Sequence, residues 1–121
     1  MRIVLALSMV ITAAATLPGA ARAQDGDALF RRQCATCHAV QAGQNKIGPS
    51  MAGIVGKKAA SVPGFAYSDA MKAANITWTD DSLAKYLADP KGLVPNGKMV
   101  FAGLKKPDDV QAVIDYLKTL K

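Results

Sequence analysis

From residue 107 onward, apolar positions recur at spacings of three and four: Val110, Val113, Ile114, Leu117 and Leu120. That spacing draws one buried stripe along an α-helix. Pro107 suits the first helical position, and Asp108-Asp109 place negative charge in the first turn, where the helix dipole favours it. A second helix is expected over Asp25 to Gln33, with acids at its start and Arg31-Arg32 at its end. A third begins after Trp78, with Thr79 as N-cap and Asp80-Asp81 behind it. Leu83, Tyr86 and Leu87 form its buried face, and Pro90 stops it. Ser68 caps a shorter helix through Asp69, Ala70, Met71 and Lys72.

Between these segments the periodicity vanishes. Ala42 to Gly64 and Lys91 to Pro107 are rich in glycine and proline and read as loops. No alternating β pattern of any length occurs. The expectation is an all-α domain, more than a third of it loop. That is a poor specification for a self-sufficient core.

The N-terminus has a different pattern. Met1-Arg2 is followed by a mostly apolar run, Ile3 to Leu17, then Pro18-Gly19 and the small-x-small triplet Ala21-Arg22-Ala23. This is the layout of a secretory signal peptide. The run is shorter than the ~20 residues a membrane-spanning helix needs. The expected organisation is a cleaved signal peptide over 1–23 and one exported domain over 24–121, with no stable membrane insertion; the alternative is an uncleaved anchor, since Pro18 to Ala21 could stretch the apolar segment. A domain of that size buries only about 60–68% of its unfolded surface.

Composition narrows the partners. After Ala23, 13 basic residues face nine acids, every one an aspartate, and 11 of the 13 are lysine. Lysine gives a diffuse, hydrated positive surface, unlike the bidentate grip of arginine on phosphate. Without a basic-aromatic tract, nucleic acid is excluded as the partner. An acidic protein surface is expected.

Both cysteines and the only histidine of the chain fall within five positions, Cys34-Ala35-Thr36-Cys37-His38. C-x-x-C-H reads as covalent c-type haem attachment. Two thiols three positions apart add to two vinyl groups on one porphyrin edge, and the adjacent imidazole reaches the iron. The rivals lack their contexts. A zinc site has no fourth Cys or His ligand, a thioredoxin-like pair has no βαβ unit, and a disulfide would close a tiny loop and leave His38 unused. One covalent haem c on Cys34 and Cys37 would also fill the missing core.

With the haem placed, the chain resembles the class I c-type cytochromes, close to the mitochondrial and short bacterial cytochrome c2 type. The matching stretches are "GPSMAGIVGKK" (48–58), "PGFAYSDAMKAANITW" (63–78), "YLADPKGLVPNGKMVF" (86–101) and "DDVQAVIDYLK" (108–118). The resemblance implies the small cytochrome c fold, with N- and C-terminal helices crossing near Gly26, Phe30 and Tyr116 and long loops wrapped around the haem. It implies Met99 as the second axial ligand beside His38, a pairing that raises the reduction potential. Met51 and Met71 are the other methionines after the signal segment.

The same resemblance gives supporting roles. The Pro49 carbonyl accepts the second imidazole N–H of His38. Tyr67 and Trp78 donate to a haem propionate, and Tyr86 reaches the Met99 sulfur. For each aromatic, the residues by themselves leave ordinary core packing open. Two positions depart from the family pattern: Gly97 where a threonine is frequent, and Met71 where an asparagine is common. The implied function is a one-electron carrier rather than an enzyme, a monomer that docks acidic redox proteins through Lys46, Lys91, Lys98, Lys105 and Lys106. It would shuttle electrons between respiratory or photosynthetic complexes. Two alternatives stay open at this level: a dedicated haem acceptor of one periplasmic dehydrogenase, and a haem enzyme or gas-binding protein with an open distal site.

Overall fold

The computed structural model describes residues 11–15 and 17–121. Much of the expected signal segment, residues 1–10 and 16, lies outside the described residues. Among the described residues five helices follow one another: α1 (Pro18–Gln33), α2 (Asp69–Ala73), α3 (Asp80–Ala88), α4 (Pro90–Leu93) and α5 (Pro107–Lys118). Among the described residues the only β pairing is one isolated antiparallel bridge between Lys58 and Thr77. No helix among the described residues is long and apolar enough to cross a membrane.

Local chemistry explains most boundaries. Thr79 caps α3 in a reciprocal box with Ser82, whose N–H donates to Thr79 Oγ1 at 3.2 Å while its own Oγ accepts from the Thr79 N–H at 2.9 Å. The Ser68 hydroxyl accepts from the Met71 N–H at 3.1 Å and starts α2. Pro107 opens α5, with Asp108 and Asp109 in its first turn.

Two elements differ from the sequence expectation. α1 starts at Pro18, so Asp25 and Asp27 lie in mid-helix and the first turn holds no acid. Proline at the first position and the alanines after it favour helix well upstream of Asp25. α4 was not anticipated: Pro90 ends α3 and also begins the next helix. The Asp89 carboxylate caps that turn by accepting from the Gly92 N–H at 3.1 Å. A side chain at position 92 would run into this carboxylate. A proline that breaks one helix is equally suited to open another.

The core lies where α1, α3 and α5 meet. Phe30, Leu83, Leu87, Val110, Val113, Ile114 and Leu117 are buried together with Ile54, Trp78 and Leu104. α1 reaches α5 at Gly26, where a Cβ would overlap the Ala112 carbonyl, and the Phe30 and Tyr116 rings stack tilted at 5.4 Å. Tyr86, expected on the buried face of α3, is half-buried on its flank. The chain after Met99 returns to α3 through Gly103, whose φ of 101° and contact with the Ala88 carbonyl both require glycine. Leu104 then donates to the Leu87 carbonyl at 2.8 Å.

Candidate functional site

Cys34, Cys37 and His38 occupy the turn that leaves α1. The N–H groups of Cys34 and Ala35 donate to the Phe30 carbonyl at 2.8 and 2.9 Å, and those of Cys37 and His38 to the Cys34 carbonyl at 3.0 and 2.9 Å. Four of the five backbone donors of the motif are thus spent within the turn or just behind it. The two thiols are free and half-buried. Burial, then the neighbouring Cys37 sulfur, pushes the Cys34 thiol up to about 11, so it is protonated at neutral pH.

The loop after His38 fixes the imidazole. Nδ1 donates to the Pro49 carbonyl at 2.7 Å, because a carbonyl only accepts. The proton therefore sits on Nδ1, and Nε2 keeps its lone pair for a metal. Burial lowers the histidine's pKa, the Pro49 carbonyl opposes the change, and the Lys46 charge adds to it. The outcome favours neutral imidazole, the form that binds metal. Gly48 lies against the ring so closely that any side chain there would collide with it.

The same loop braces itself. Gly48 donates to the Cys37 carbonyl at 2.8 Å and Met51 to that of Ala39 at 2.9 Å. Buried Ser50 bonds the Gln41 carbonyl at 2.6 Å through its hydroxyl, and Asn45 ties the Ser50 N–H and the Pro63 carbonyl at 3.0 Å each. Residues as far apart as Gln41 and Pro63 thereby position one imidazole. The sequence reading missed the parts played by Asn45, Gly48 and Ser50; its one available signal was the Gly48-Pro49 pair.

Met99 is half-buried and approached by one polar group, the Tyr86 hydroxyl, which donates to Sδ at 3.8 Å. Burial raises the Tyr86 pKa, keeping the phenol protonated and able to donate. The Tyr86 ring packs on Trp78 at 4.9 Å with 44° between planes. Tyr67 belongs to another group: its ring meets Phe65 edge-on at 4.9 Å, and its hydroxyl accepts from the Val62 N–H at 3.1 Å. The structure thus joins Tyr86 to Met99 and Pro49 to His38, and it pairs Tyr86 with Trp78 and Tyr67 with Phe65. Tyr67 retains its own proton to donate. It lines a cleft of about 460 Å³ with Ser68, Asp69, Ala70, Asn96 and Lys98, which faces the loop before Met99.

These residues fit a c-type haem by their donor set. Two thiols, an imidazole with one nitrogen free and a neutral thioether are the chemistry such a group needs. Half-buried apolar side chains, among them Ala35, Val40, Met51, Val55, Met71, Leu93 and Phe101, supply an apolar lining around the core.

The five expected docking lysines are all exposed. Among the described residues none of them takes part in an ion pair, whereas Lys72, Lys85 and Lys118 each do. Lys46 and Lys105 instead donate to the Ala35 and Ala102 carbonyls at 2.6 and 2.9 Å.

Comparison with known proteins agrees with this chemistry. The family described as Cytochrome c matches residues 23–121. The chain is 58% identical over 88 residues to cytochrome c2 iso-2 of Magnetospirillum molischianum, covering 73% of this chain and 91% of the relative. It is 47% identical over 97 residues to cytochrome c of Arabidopsis thaliana, covering 79% and 87%. Among solved structures it resembles cytochrome cH from Methylobacterium extorquens, with TM-score 0.75, 43% identity, and coverage of 80% of this chain and 97% of that one.

Proposed function

This chain belongs to the cytochrome c family and carries one covalent haem c on Cys34 and Cys37, and we propose that His38 and Met99 are its two axial ligands in a periplasmic one-electron carrier. The observation that carries the reading is the pair of oriented donors. His38 has Nδ1 committed to Pro49, and Met99 has its sulfur met by Tyr86. When bound, the haem supplies a one-electron couple at its iron. The protein's part is to hold a neutral imidazole and a neutral thioether in place, so that little has to move when the charge changes. Pro49 keeps the histidine in one tautomer and raises its basicity. Tyr86 withdraws electron density from the thioether. If His38 and Met99 both held the iron, no site would be left open for a substrate, which favours a carrier over an enzyme.

Docking follows from charge. Lys46, Lys91, Lys98, Lys105 and Lys106 are exposed and outside the ion pairs, so they present positive charge to an acidic redox protein. The protein acts as a monomer in this reading, and its transient redox contacts bury little surface, below ~1,200 Å². The apolar run and Ala21-Arg22-Ala23 support export with cleavage after Ala23, giving a domain over 24–121.

The test is the optical spectrum of the ferric protein, which should show the weak methionine–iron band toward the red and lose it in Met99→Ala. A ferric protein without that band, or a variant that retains it, overturns the ligand assignment. Lys98, Lys105 and Lys106 changed to glutamate should slow reduction by an acidic partner. The wild-type rate should fall with salt as the Debye length shrinks from ~10 Å at 0.1 M to ~3 Å at 1 M.

A further inference from the structure

The loop that carries Met99 also contains the dipeptide Asn96-Gly97, and we propose that Asn96 is a site of spontaneous deamidation whose conversion loosens that loop. The chain has three asparagines, and the structure treats them differently. Asn45 is held at both ends of its amide, by the Pro63 carbonyl and the Ser50 N–H, and is followed by Lys46. Asn75 is exposed but precedes Ile76, whose β-branched side chain crowds the next backbone nitrogen. Asn96 is exposed on the 460 Å³ cleft, and its side-chain amide has no hydrogen-bond partner among the described residues. Gly97 offers no side chain to hinder attack.

In the reaction the Gly97 nitrogen forms a bond to Asn96 Cγ, and the Cγ–Nδ2 bond breaks. The nitrogen's proton passes through solvent to the leaving group, which departs as ammonia. Water then opens the cyclic imide at either carbonyl, giving aspartate or isoaspartate. No oxidant or reductant is involved. One feature of the native turn opposes the reaction. Asn96 sits at φ 64°, and the attacking nitrogen is engaged with the Val94 carbonyl at 3.1 Å. The nitrogen is released only when the turn opens, so the rate follows a local opening two residues before Met99.

The product alters this region in two ways. The isoaspartate route moves a methylene into the backbone and lengthens the loop. Either route places a carboxylate two positions from Lys98, on the cleft that Lys98 and Asp69 also line. The consequence for iron ligation rests on Met99 being the axial ligand; the modification does not.

The experiment ages the ferric holoprotein in warm, mildly alkaline buffer and maps the peptide spanning residues 92–98. The expected result is an amide-to-acid mass gain with isoaspartate in that peptide, ahead of conversion at Asn45 and Asn75. Asn96→Gly should abolish the gain while tolerating the left-handed turn, and Gly97→Ala should slow it. The converted form, separated by its added negative charge on cation exchange, should lose the methionine–iron band at lower pH than the parent. Equal or absent conversion at Asn96 overturns the modification. Conversion with an unchanged band overturns the loosening of the loop. A fresh protein lacking the band overturns the ligand reading and its consequence, while the mass gain at residues 92–98 still decides the modification.

Discussion

Where α1 crosses α5, Ile114 is fully buried, Gly26 admits a backbone carbonyl, and the Phe30 and Tyr116 rings stack. At Met99 the side chain is half-buried and its one polar contact is a single hydroxyl at 3.8 Å. The crossing is a protein interior, close-packed by side chains that fill one another's grooves. The loop half has the same kinds of residue but closes on itself mainly through backbone and side-chain hydrogen bonds, as in the bracing from Gln41 to Pro63. Stability and function are therefore supplied by different means in the two regions. The crossing is packed by protein side chains, whereas the loop half leans on hydrogen bonds, and covalent haem is expected to complete the core they share.

The sharpest way to break this comparison is to prevent haem attachment. Cys34→Ala with Cys37→Ala should yield a chain without a cooperative thermal transition, because the remaining core is too small to stand alone. Circular dichroism decides it: native helical content with a sharp transition would show that the loop half does not depend on the haem. Next in size, Ile114→Ala should cost about 2–5 kcal/mol in urea unfolding, as a wholly buried side chain is removed from the crossing. Under native conditions the methionine–iron band should persist, and its loss would show the two regions to be coupled.

Tyr86→Phe acts on the other region. It removes the donor to Met99 at a stability cost of about 0.5–1.5 kcal/mol. It should also lower the reduction potential, because the thioether then gives more density to the ferric state. A redox titration that finds the potential unchanged would make Tyr86 a packing residue only.

The smallest effect is expected at Tyr116. Its pKa is raised, by burial first and then by the charge of Asp27. The unfolded tyrosine ionises near ~10, below the folded group. Its contribution is thus fully present below that pH and is lost as pH rises through the folded value. Unfolding curves above pH ~10 should fall more steeply for wild type than for Tyr116→Phe; parallel curves would contradict the assignment.

Much was legible before the structure, for local reasons. Ser68, Thr79 and Pro107 start helices through bonds or ring constraints that reach no more than three residues along the chain. The spacing of Cys34, Cys37 and His38 carries its chemistry within five positions. The start of α1 differs because the acids at Asp25 and Asp27 stand for a first turn that Pro18 in fact opens, and α4 because Pro90 reads as the end of α3 when it also begins the next helix.

The sequence by itself determined the helical class, the stripe that buries Ile114 and the attachment chemistry, since each is fixed by neighbours along the chain. The assignments of Pro49 to His38 and Tyr86 to Met99 came from family resemblance, and the distances between them came from the fold. Only tertiary structure decided that Gly48 lies on the imidazole, that Asn45 and Ser50 brace the loop, and that Tyr86 pairs with Trp78 while Tyr67 meets Phe65. Those contacts join residues across loops with no repeating geometry. Their partners are set by where the packed helices allow the chain to return, and no local pattern records that.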